Sequence, residues 1–177
     1  MKGASAAGSI FGLCAILCVL ALTAAQFPNS KVNIGYDKVK NSTEVSIPEM
    51  QIDNAIGRKK EKQDLRLEVR YLCAGNTSHC HPDEIDLTFV SDSSGEYERS
   101  HDLTLLVGGK KIRAKTTWVG GYAEGGAQIE QMKTFVTAEE LMEIAHADEV
   151  EGKLGQTTFK LSGKNIGALR QLASEMS

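Results

Sequence analysis

Alternation with a period of two runs through most of this chain and restricts it to sheet with one face buried. The clearest run is Leu65 to Leu72, where Leu65, Leu67, Val69 and Tyr71 alternate with Arg66, Glu68 and Arg70. Successive side chains of a strand point to opposite faces, so the apolar residues share one side and the charges the other. Ile85, Leu87 and Phe89 repeat the pattern against Asp86 and Thr88, and Val32, Ile34 and Tyr36 against Asn33 and Gly35. Val45 and Ile47 follow it as well; beyond Pro48 it resumes with Met50 and Ile52. Leu103, Leu105 and Val107 lead into Gly108-Gly109, and Ile112, Ala114 and Thr116 lead out. A Gly-Gly pair there predicts a hairpin, because tight primed turns need positive φ. Half-buried strands at this spacing predict a mostly β, antiparallel fold: a β-sandwich or an open barrel.

Two helices are expected late in the chain. Thr137-Ala138-Glu139-Glu140 fits a capping box, with Leu141, Met142, Ile144 and Ala145 as the apolar stripe of a short helix over 138–147. A hairpin turning at Gly155 is predicted from Val150 to Leu161. Ser162 is then placed to cap a last helix over 163–176, whose stripe is Ile166, Leu169, Leu172, Ala173 and Met176. Such a helix has little stability alone and is expected to dock on the sheet. The polar stretches 54–63 and 91–100 read as connections, since alternation resumes beyond each, so residues 26–177 form a single β-rich domain.

The first 25 residues have the layout of a cleaved signal peptide: Lys2, an uncharged apolar run from Ile10 to Ala25, then small residues Thr23 and Ala25 before Gln26. The run has 16 residues, short of the roughly 20 needed to span a bilayer as a permanent anchor. Cys14 and Cys18 raise a third reading, lipid modification, but Leu13 and Leu17 stand where a lipobox wants a small residue. Cleavage removes Lys2, leaving 19 Lys+Arg against 23 Asp+Glu, or about −4. That mild acidity gives no footprint for nucleic acid and no polybasic patch for an anionic membrane. No stable membrane insertion is expected after cleavage.

Cys73 and Cys80 are the cysteines left outside the leader. In an oxidising compartment two cysteines flanking a loop between two strands predict a disulfide. The alternative is a metal site of Cys73, His79, Cys80 and His81, since two thiolates and two imidazoles suit copper or zinc. The consecutive run His79-Cys80-His81 argues against it, because an extended backbone turns Cys80 away from the two histidines. Gly120-Gly121-Tyr122-Ala123-Glu124-Gly125-Gly126 is not a phosphate cradle, as a strand rather than a helix follows. It reads as a hairpin connection with bulges, and Trp118 and Tyr122 are the candidate ligand contacts. His101–Asp102 and His146–Asp148 are close in sequence only, with no nucleophile-elbow serine or cysteine. No catalytic residue and no cofactor is therefore assigned.

Val150-Glu151, Leu154-Gly155, Phe159, Leu161-Ser162 and Ala168-Leu169-Arg170-Gln171-Leu172-Ala173 resemble the closing segment of uncharacterised exported bacterial proteins. In those proteins a strand, a glycine turn, a second strand and an Ala-Leu-Arg helix end a small, mostly β domain. The resemblance covers roughly the last 30 residues; it implies a bacterial envelope setting and no particular activity. The expectation is an exported, periplasmic or extracellular, non-catalytic domain that binds a protein or an envelope polymer. Periplasmic metal binding through the Cys73–His81 loop is the alternative, and a hydrolase whose residues converge only in space is the third.

Overall fold

The computed structural model describes residues 32–92, 95–124 and 127–176, with the side chains of 120–124, 127 and 162 left out. The predicted signal peptide, 1–25, lies outside the described residues. Among the described residues, ten strands and two helices follow in the order β1 (Asn33–Asp37), β2 (Ser42–Gln51), β3 (Leu65–Ala74), β4 (Ile85–Ser91), β5 (Leu103–Val107), β6 (Lys110–Ala114), β7 (Thr117–Glu124), β8 (Ala127–Val136), α1 (Ala138–His146), β9 (Glu149–Leu154), β10 (Thr157–Ser162) and α2 (Lys164–Ala173). One antiparallel sheet has six strands, β1-β2-β3-β4-β8-β7, and the other four, β10-β9-β5-β6. Neither closes into a barrel: the fold is a sandwich with two short helices. No helix among the described residues is long and apolar enough to cross a membrane.

The inner faces are the ones the alternation predicts. Leu65, Leu67, Val69 and Tyr71 are all buried, as are Ile85, Leu87, Phe89, Leu103, Leu105 and Val107. Phe89 on β4 meets Phe159 on β10 with ring centroids 5.6 Å apart, joining the two sheets across one core. Gly152 lies opposite Phe159 because a Cβ there would run into the ring. In β2 the apolar phase slips by one between Ile47 and Met50, and the register slips at the same place. A bulge beside Pro48 absorbs the extra residue, so Val45, Ile47, Met50 and Ile52 are all buried.

Three expectations need correction. Ile34 and Tyr36, predicted to face a core, pair with Val45 and Thr43 yet remain 53% and 38% exposed; β1 is an edge strand of the wider sheet, flanked on one side by β2 alone. Asp86, predicted on a wet face, is buried beneath Arg70 (2.9 Å) and Lys133 (2.6 Å). Long charged side chains roof the outer face of β4. The cap of α2 is Gly163, at φ +50° and with no side-chain hydrogen bond, rather than Ser162. That backbone region suits glycine and disfavours other residues. The helix also stops at Ala173, short of 176.

Both predicted hairpin turns are present, with Gly108 and Gly109 at φ +54° and +86° and Gly155 at +56°. Gly155 also presses on the Ser100 carbonyl, leaving no room for a Cβ, and donates its N–H to the Asp102 carbonyl at 3.0 Å. α1 carries the full Thr137/Glu140 capping box. α2 packs against α1, β2 and β10, closing one end of the sandwich.

Candidate functional site

The residues singled out in sequence do not converge. Cys73 and Cys80 form a disulfide, with Cα atoms 5.8 Å apart. Both sulfurs of the four-residue metal alternative are thereby consumed. His79 is exposed, and His81 Nε2 lies 3.5 Å from Glu139 on α1. No group of three or more potential ligands gathers among the described residues. His101 Nδ1 lies 2.8 Å from the Tyr97 carbonyl, and His146 Nδ1 2.7 Å from the Met142 carbonyl one turn back.

Trp118 is partly buried against the core, and its indole N–H donates to Glu130 Oε1 at 3.1 Å. Glu130 is fully buried on β8 and also accepts from the backbone N–H groups of Glu96 (2.9 Å) and Tyr97 (3.2 Å). The Tyr97 hydroxyl continues the network to Thr157 Oγ1 at 2.9 Å. These bonds hold the polar connection after β4 onto the sandwich, and they commit the Trp118 N–H to the fold. Tyr122 pairs with Ile129 on β8, and its side chain lies outside the described residues. The glycine-rich stretch is strand as far as Glu124, which pairs with Ala127, with a bulge between Trp118 and Gly120. The connection itself, 125–126, lies outside the described residues.

The surface with the makings of a binding site is the outer face of the four-stranded sheet. Residues 54–63 lie along its β10 edge. Ile56 exchanges backbone hydrogen bonds with Thr158 (2.8 and 2.9 Å), and the Asn54 side chain bonds both the N–H and the C=O of Lys160. Cross-strand partners share a face, so the register aligns Arg113, Thr104, Lys153, Thr158, Ile56 and Lys62 in one row. A parallel row holds Lys111, Leu106, Glu151 and Lys160.

A groove of about 510 Å³ is lined by residues of both rows, among them Ile56 and Leu106, 39% and 37% exposed. Lys160 is paired with Glu149 (2.8 Å) and Glu151 (3.2 Å), which hold its ammonium above the ordinary lysine pKa. At the rim of the connection, Asp53 is held below the usual carboxylate range, chiefly by its hydrogen bond from Lys164. Lys111, Arg113 and Lys153 make no ion pair among the described residues; Lys62 makes none within 4.0 Å, but its charge also helps to hold Asp53 low.

The outer face of the six-stranded sheet differs. There Glu44, Asp86, Arg70 and Lys133 form one set of ion pairs, and Glu49, Arg66 and Asp92 another. Glu68 lies on the same face, its carboxyl raised chiefly by burial and then by Glu49. An overall charge of −3 therefore conceals a basic side. Net charge, being a sum, does not report this uneven distribution. In comparisons with known proteins, no family model, no curated protein and no solved structure matches the chain.

Proposed function

We propose that this is an exported, non-catalytic binding domain of the bacterial envelope that takes its partner on the outer face of the four-stranded sheet. The observation that carries the reading is the aligned row across that face. It keeps Arg113, Lys153 and Lys62 out of ion pairs while an apolar groove runs beside them. Exposed cations on a solvated face cost little; set beside an apolar floor, they supply both steering and contact area for an anionic partner. Export is supported by the leader, and the Cys73–Cys80 bridge suits an oxidising compartment.

Lysine acetylation read by mass spectrometry tests the surface without knowledge of the ligand. Lys62 and Lys153 are expected to react more slowly in intact envelopes than in the purified protein, while Lys38 and Lys40 on the far sheet keep their rates. Equal reactivity of all four in both preparations would overturn the assignment. The same spectra report whether the native product starts at Gln26.

A further inference from the structure

Resting on that reading, we infer that the occupant is an extended acidic polysaccharide, bearing carboxylates on alternate sugars, lying across the strands. The row runs perpendicular to the strands, so its residues repeat at the inter-strand distance. Arg113 and Lys153 are two strands apart, about 10 Å, and Lys153 and Lys62 three strands apart, about 14 Å. A sugar ring is about as long as one strand spacing. A chain with an acid on every second ring can therefore place one carboxylate near Arg113 and the next near Lys153.

The intervening ring meets Thr104, whose hydroxyl can both donate to and accept from sugar hydroxyls, and Leu106 beside it on the same face of β5. Beyond Lys153 the row continues with Thr158 and Ile56, a second hydroxyl and a second apolar contact, while Lys62, three strands on, falls outside the two-ring repeat.

Other anionic partners fit less well. A flat lipid surface has no use for a groove. An acidic peptide in extended form gains most by adding to a sheet edge; the β10 edge is covered by Asn54 and Ile56, so a peptide would go to β6 and shift that edge rather than the β5–β9–β10 face. Single-stranded nucleic acid binds by stacking on aromatic rings, and Phe159, the ring nearest the groove, is buried.

The test is amide-shift mapping on the purified protein at low ionic strength with a hexasaccharide alternating glucuronic acid and N-acetylglucosamine, beside its methyl ester, polyglutamate and phosphatidylglycerol vesicles. The acid hexamer is expected to move the amides of β5, β9 and β10, with the methyl ester inert. The double variant R113Q/K153Q is expected to bind about tenfold more weakly, and added salt to weaken the wild type in the same direction. Both replacements are at exposed positions, and an unchanged spectrum of the free variant shows that its fold is intact. If the ester binds as well as the acid, or only polyglutamate or vesicles shift this face, the polysaccharide assignment falls while the binding surface stands. If no probe shifts the face and envelope lysines stay unprotected, the surface assignment falls with it.

Discussion

Tyr71 illustrates what burial does to a single side chain. Its ring lies on the inner face of β3, 2% exposed, and its hydroxyl donates to the Ser78 carbonyl at 3.4 Å. Loss of solvation, with a smaller contribution from Glu175, pushes the phenol from 10.0 up to about 12. The folded protein thus keeps a proton that the unfolded chain releases, and linkage fixes the sign. Stability is fully present below about 10 and declines as pH rises towards about 12. Tyr97, also raised chiefly by burial, adds to the slope. We predict that urea midpoints measured across that interval fall for the wild type and fall less for Tyr71→Phe; parallel curves would show that Tyr71 contributes nothing to the alkaline loss. At this scale the sequence was legible where residue type and position agree, as for Cys73 with Cys80. It was not legible at Glu130, because a carboxylate in a strand reads as outward-facing. Only its phase with Met132 and Val136, both buried, marks it as an inner residue.

Elements were legible when their signals were local. The capping box of α1 lies within four consecutive residues, and Thr137 and Glu140 bond each other's backbone N–H as anticipated (3.2 and 3.0 Å). Thr137→Ala removes one acceptor from the helix start, and we predict a loss of about 1 kcal/mol in chemical denaturation, with an unchanged m-value. A loss near zero would mean that packing of α1 on α2 alone holds the helix. The start of α2 was misplaced by one residue because Ser162 has the chemistry of a cap while Gly163 has the backbone for the turn. In β2 the phase slip was visible in the letters, yet Pro48 reads equally as a strand end. The continuous strand exists because the bulge lets both halves keep their apolar residues inside.

For the whole molecule, the period-two pattern was enough to predict antiparallel sheets but not how the strands divide between them. The basic row is assembled from the β5–β6 hairpin, the β9–β10 hairpin and residues 56–62, three segments far apart in the chain. No local signal encodes their juxtaposition, so a face with unpaired cations was invisible beneath a nearly neutral total. The core behaves as one unit, and Leu67, 1% exposed between Met50 and Phe89, sits in its middle. Leu67→Asp places an uncompensated charge there, and we predict that it abolishes cooperative unfolding by circular dichroism. A soluble variant with a sharp transition would mean that the two faces of β3 have been interchanged.

The far end of the chain has its own dependence. Met176 forms a short parallel bridge with Cys80, and Ser78 lies 3.5 Å from Glu175. The tail is thus moored to a loop that is itself cross-linked. Reducing the Cys73–Cys80 bridge is expected to loosen the loop against which residues 175 and 176 rest, read as faster amide exchange at both.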